Sequence, residues 1–289
     1  LSAVISDNEK AIVQDALLDN EALITADWAQ KVLPQSAIEG QSGYFGKGGM
    51  SVHITHIYAK LNGRLYHHVM QHVFESSKQQ SYDVSCIFRH GLHILEKRGI
   101  TKVTLRSDNA GCYKSKDLVG DLYQIANDTP RIDRYIYSES QAGKGPCDRA
   151  ASHMKRQIRE CTEARINVRD AQEIFDALTK NDVVRGTSTY RCAMGPPDTH
   201  KQKKSAISDM SSLYEITFQT DGILARKHCG IGKGQTTKQL TGLFSRFETK
   251  RVSGVTVARK PRGRQQSKSS RKRAHPVSSE EDVVVAQEE

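Results

Sequence analysis

Long apolar runs are missing from this sequence. No stretch of its 289 residues approaches the roughly 20 consecutive apolar positions that a membrane-crossing helix needs. Hydrophobic residues make up only 37%, below the usual globular share, so part of the chain is expected to stay outside a packed core. The six cysteines contain no Cys-x-x-Cys pair and no regular framework, which points to reduced thiols in a nuclear or cytosolic protein. No His-Glu-x-x-His partner accompanies the histidines of 53–72, and His228-Cys229 with Cys192 and His200 has irregular spacing for zinc. Gly230-Ile231-Gly232-Lys233-Gly234 lacks the Walker spacing and the hydroxyl after the lysine, so it reads as a turn. No internal repeat and no finger-type DNA-binding module stands out. The sequence opens Leu1-Ser2-Ala3-Val4 without an initiator Met, so a fragment is expected and a missing targeting signal carries no weight.

What is present is charge, unevenly placed. The formal net charge is +10, and residues 246–273 alone hold eleven Lys/Arg against one acid, Glu248. Residues 274–289 hold five acids and no Lys or Arg. The basic balance is thus mostly a tail property and fits a polyanionic partner, nucleic acid first. The tail carries Arg262, Arg264, Arg271, Lys272 and Arg273, a candidate nuclear-import or nucleic-acid patch. Its low apolar content predicts disorder over 246–289.

Periodicity divides the rest. Residues 8–19 read as a short helix. Alternation predicts strands over about 21–27, 50–60 and 64–74, the last two joined at Asn62-Gly63, a strong hairpin signal. A Gly-rich loop fills 40–49. A helical period runs from Tyr82 to Arg98, with Asp83 able to cap its start and Gly99 its end. Strand, helix, strand follow at about 101–107, 116–127 and 132–138. Two further helices start near Pro146, which suits a first helical turn, and near 169. Beyond Asp182 the text predicts a loop and a short hairpin turning at Asp221-Gly222. The expected organisation is a partial N-terminal helix over 1–20, an α/β core over 21–182, a small accessory β region over 183–245 and the tail. The core is expected to be a mixed five-stranded sheet with flanking helices.

Three acids sit where those strands run out. Asp27 follows Ala22-Leu23-Ile24-Thr25-Ala26, Asp108 follows Val103-Thr104-Leu105-Arg106-Ser107, and Asp148 lies at the mouth of a helix. Strand ends and helix starts are rigid, so carboxylates there can converge. Converging carboxylates repel and stay ionised only when a cation joins them. Hard oxygen donors suit Mg2+ or Mn2+, and two such ions can drive an in-line phosphoryl displacement. Glu139, at the end of the fifth strand, is the rival to Asp148 as third ligand. Lys144, between two glycines, can neutralise a scissile phosphate or simply be a solvated loop lysine. Arg149 and Lys155, near the same helix, can track a DNA backbone or form a solvated face. Asn109 can hydrogen-bond a ligand carboxylate or shape a turn.

The strand and helix order, with acids on the first strand, at the end of the fourth and at the start of the helix after the fifth, resembles the ribonuclease-H-like fold. The separations of 81 and 40 residues resemble a DDE/DDD-type transposase core. Asp27-Trp28-Ala29-Gln30-Lys31-Val32-Leu33-Pro34, Arg106-Ser107-Asp108-Asn109-Ala110-Gly111-Cys112-Tyr113 and Gly143-Lys144-Gly145-Pro146-Cys147-Asp148-Arg149 resemble blocks in a large group of transposon-derived animal proteins. The resemblance covers roughly residues 20–180. It implies metal-binding roles for Asp27, Asp108 and Asp148, although the third acid of such transposases is commonly Glu. The function it implies is two-metal-ion phosphoryl transfer on DNA by a nuclear, transposase-derived protein. The alternatives are a domesticated protein that grips DNA or chromatin without cutting it, and a ribonuclease of the same fold.

Overall fold

The computed structural model describes residues 15–29, 31–36, 48–138, 145–180, 184–192, 207 and 209–238. Glu139, Lys144, most of the expected helix over 8–19, most of the Gly-rich loop and the whole basic tail lie outside the described residues.

A mixed sheet runs through the molecule. Its strands are β1 (Glu21–Trp28), β2 (Val52–Leu61), β3 (Arg64–Phe74), β4 (Lys102–Ser107), β5 (Arg131–Tyr137), β6 (Thr187–Cys192), β7 (Glu215–Gln219), β8 (Gly222–Arg226) and β9 (Gln235–Lys238). Four α-helices accompany them among the described residues: α1 (Ser81–Glu96), α2 (Lys116–Ile125), α3 (Pro146–Glu163) and α4 (Ala171–Lys180). None of these is long and apolar enough to cross a membrane.

The strand order is β6-β3-β2-β1-β4-β5-β7-β8-β9. The first three strands form the antiparallel meander that alternation predicts. Asn62 and Gly63 both take positive φ, 50° and 71°, which matches the right-handed twist of a two-residue hairpin. β4 and β5 then run parallel to β1, because α1 and α2 carry the chain back across the sheet. α1 ends as expected, with Gly99 at φ 80°. Its start differs from the expectation: Gln80 is the capping position, and Asp83 is buried within the first turn instead.

Among the described residues the sheet has nine strands, not five. β6 adds parallel to β3, from Val69↔Thr187 to Phe74↔Cys192. The hairpin turning at Asp221-Gly222 forms as β7 and β8, but β7 pairs with β5 and so extends the same sheet. The physical reason lies at the edges. β3 and β5 would otherwise each present a row of unpaired N–H and C=O groups. The short polar run Thr187-Ser188-Thr189 carries little hydrophobic signal of its own and takes its strand form from the edge it meets.

The two faces of the sheet are covered separately. Ala22, Ile24 and Ala26 of β1 pack with Ile57, Phe88, Leu105 and Leu122 under α1 and α2. The other face carries Val52, Ile54 and Val73 against Met154, Ile158 and Ile174 of α3 and α4. Strand alternation decides which residue goes where. Asp27 lies opposite Ile54, so it belongs to the α3 face.

Candidate functional site

The site grows from strand register. β1 and β4 pair in parallel from Glu21↔Lys102 to Ala26↔Ser107. One further step brings Asp27 beside Asp108, both at the C-terminal end of their strands. Ala26 faces α1 and α2, so Asp27, the next residue on β1, faces α3; Asp108 lies just past the end of β4. α3 starts over that sheet end, and its Pro146 opens the first turn. Cys147, buried beneath that turn, donates its thiol to the Thr25 carbonyl at 3.4 Å. It thereby pins the turn to β1. Asp148 then lines a cavity of about 280 Å³ together with Asp27, Trp28, Ile54, Ser152 and Lys155.

Each acid is held differently. Asp108 accepts a hydrogen bond on Oδ1 from the Ala110 backbone N–H at 2.9 Å, an Asx turn that fixes the strand end. Asp148 accepts on Oδ2 from the Gly145 N–H at 2.8 Å, capping α3. Asp27 is the most confined. Burial first, and then the charges of Asp108 and Asp148, raise its pKa to about 7 against the pull of the Trp28 backbone N–H. Burial also raises that of Asp108, opposed by the Ala110 N–H. The three carboxylates therefore share one electrostatic neighbourhood.

These oxygens fit Mg2+ or Mn2+ in kind: they are hard donors on rigid element ends, and each cap bond engages only one oxygen of its carboxylate. Among the described residues, however, no three His, Cys, Asp or Glu side chains stand closely enough together to hold an ion.

Arg149 and Lys155 part company. Lys155 lines the acid cavity. Arg149 lies on the other side of α3, in a second cavity of about 160 Å³ with His56, His153 and Arg185. Glu139 and Lys144 lie outside the described residues, as do Arg262, Arg264, Arg271, Lys272 and Arg273. Asn109 shapes the turn through a lysine: Lys114 Nζ donates to Asn109 Oδ1 at 3.1 Å and to the Ser211 carbonyl at 2.8 Å. It also sits 4.3 Å over the Tyr214 ring. Lys114 thus ties the Asp108 turn to the segment before β7, a role no local pattern announces. Arg185 was missed for the same reason, because its place beside Arg149 depends on the unforeseen pairing of β6 with β3.

The histidines divide between the faces as strand alternation predicts. His53 and His72 are cross-strand partners, and His72 Nε2 lies 3.0 Å from His90 Nδ1. Burial lowers the pKa of His53 to about 3 and that of His90 to about 4. All three are buried or nearly so on the α1 face. His56 is on the opposite face and lines the second cavity.

The geometry defines a class: a mixed α/β protein with carboxylates gathered at the C-terminal ends of two adjacent parallel strands and a covering helix. Residues 10–229 match the model of a family described as a domain of unknown function (DUF8701), and the chain belongs to that family. No curated protein and no solved structure matches it.

Proposed function

We propose that the chain is the catalytic core of a transposase-derived DNA-processing protein with a ribonuclease-H-like fold. One observation carries this reading: Asp108 and Asp148 both bear on Asp27 at a single end of the sheet, where burial first and then their charges raise its pKa to about 7. The central order β3-β2-β1-β4-β5, antiparallel on one side of β1 and parallel on the other, supports the fold assignment. β6 and β7–β9 are additions at its two margins.

In this reading Asp27, Asp108 and Asp148 would hold two divalent ions, Mg2+ or Mn2+, with Glu139 as a further candidate ligand. Bound there, the ions supply Lewis-acid stabilisation of the attacking and leaving oxygens of a phosphodiester. The chain supplies the rest. β1 and β4 fix two carboxylates side by side, and the Asx turn at Ala110 orients Asp108. Asp27, whose pKa burial and its two neighbours raise to about 7, would take part as the ionised carboxylate. Lys155 presents positive charge across the cavity, where the scissile phosphate would approach, with Lys144 as a second candidate for that role. Arg262, Arg264, Arg271, Lys272 and Arg273 grip the DNA backbone and direct the protein to the nucleus.

The test is nicking of supercoiled plasmid in Mg2+ or Mn2+ by the full chain and by Asp108→Asn. The substitution keeps shape and removes one negative charge. The wild type is expected to nick and the variant to lose that activity. Equal nicking by both would sink the catalytic claim. If neither nicks and both bind DNA, the protein is a domesticated binder. A specific observation favours that second reading: Asp108, Asp148 and Asp27 are each engaged by a backbone N–H, of Ala110, Gly145 and Trp28.

A further inference from the structure

The second cavity has a composition that the acid site does not explain. It lies between β2, α3 and the segment leading into β6, and Arg149, Arg185, His56 and His153 line it. No Asp or Glu is among its lining residues. Both arginines are exposed, and among the described residues neither guanidinium forms an ion pair. Two guanidiniums that share a cavity without a counter-charge repel each other, and an anion relieves this. A guanidinium fork matches two oxygens of a phosphate in one plane.

Position identifies the kind of anion. Asp148 and Arg149 are consecutive in the first turn of α3, so that turn presents a carboxylate to one cavity and a guanidinium to the other. A helix with its side chains is about 10–12 Å across. A nucleic-acid strand rises about 3.4 Å per nucleotide, so crossing α3 takes roughly three nucleotides. A strand laid over the N-terminal turn of α3, itself the positive end of the helix dipole, would reach both cavities.

We propose that this cavity is a subsite for a backbone phosphate of a nucleic-acid strand, about three nucleotides from the phosphate at the acid site. The identity of the polyanion rests on the DNA-processing reading; the phosphate chemistry rests on the cavity.

The test is binding, so it does not depend on cutting. Fluorescence anisotropy of a labelled single-stranded oligonucleotide is measured in EDTA across a salt series. The full chain is compared with Arg149→Ala/Arg185→Ala. Losing one neutralised phosphate should reduce the slope of log affinity against log salt by about 0.7. The same loss should appear in an Asp108→Asn background, whether or not the protein nicks plasmid. Either single variant, with a smaller reduction, serves if the double variant fails to fold. Inorganic phosphate at constant ionic strength separates the two sources of a phosphate group. Displacement of the oligonucleotide from the wild type at low millimolar phosphate would mean a free-phosphate pocket and would overturn the strand subsite. An unchanged slope and affinity in the variants would also overturn it, as would a wild type that binds no oligonucleotide.

Discussion

The two faces of the sheet bury titratable groups in opposite ways. Under α1 and α2, His53, His72 and His90 are stacked among Trp28, Tyr113 and Tyr190. Burial keeps them neutral, with His53 at about 3 and His90 at about 4. Under α3, Asp27 is driven to about 7 by burial and by two neighbouring carboxylates. The first face buries its histidines in the neutral form. The second gathers carboxylates around Asp27, with Lys155 lining the same cavity. A buried group that has been neutralised is part of a core. A group held half-titrated at neutral pH is poised to meet something from outside.

The signs of the two pH dependences follow and give the largest test of the contrast. A histidine with a lowered folded pKa gives stability that is present above 6.5 and lost as pH falls towards about 3. Replacing His53 with Phe removes that burden and an Nε2 atom that has no partner among the described residues. Relative to wild type, His53→Phe should gain on the order of 3–4 kcal/mol between pH 7 and pH 3. Urea unfolding at both pH values measures the gain, and parallel pH curves would break the contrast.

Asp27 behaves the other way. Its folded pKa is raised, so its contribution is present below about 3.8 and is lost as pH rises through about 7. Asp27→Asn should therefore stabilise the metal-free protein at pH 8 by about 2 kcal/mol and have little effect near pH 4. Thermal melts at the two pH values check this. Millimolar Mg2+ should raise the wild-type Tm at pH 8 and leave that of the variant nearly unchanged. Equal shifts in both proteins would separate Asp27 from metal binding.

Helix caps sharpen the contrast at smaller scale. Ser115 caps α2, accepting from the Asp117 N–H at 3.2 Å, so Ser115→Ala should cost about 1 kcal/mol. Asp148 caps α3 through Gly145, but it also adds to the charge on Asp27. Asp148→Ala should cost less than Ser115→Ala in the metal-free protein, because relief of repulsion offsets the lost cap. Chemical denaturation of both variants at pH 8 decides. The smallest effect is expected from deleting residues 246–289. Stability should hold, while the DNA salt slope flattens by about 0.9 per lost contact with duplex phosphate. An unchanged slope would show that the grip on DNA lies elsewhere.

Much of the first 180 residues was legible because their signals are local. Asn62-Gly63 fixes a hairpin by its own backbone preference, and Pro146 and Gly99 mark helix limits in the same way. Asp27 and Asp108 could be placed at strand ends from the apolar runs before them. What was not legible depends on pieces far apart in sequence. The edge of β3 recruits β6, whose sequence alone carries a weak pattern, and the edge of β5 recruits β7, whose hairpin was legible but whose place in this sheet was not. The division of Arg149 from Lys155 follows from which side of α3 packs on the sheet. Lys114 acts through Ser211, nearly a hundred residues away. Asp83 resembles a cap in sequence and is drawn inside because the first turn of α1 is buried.

The place of β1 has a consequence for how the molecule assembles. β1 precedes the other described strands in sequence and stands at the centre of the order, between β2 and β4. Its β2 edge can zip soon after synthesis, since the β2–β3 hairpin is local. Its other edge must wait for β4, with Glu21 meeting Lys102, and closing so long a loop is slow. During that interval Asp27 already has its strand but Asp108 has no fixed neighbour. The charge cluster therefore appears only with the late zipping of β1 onto β4, after much of the apolar surface has found cover. On that order of pairing, a newly made chain would bring Asp27 and Asp108 together only when β1 meets β4.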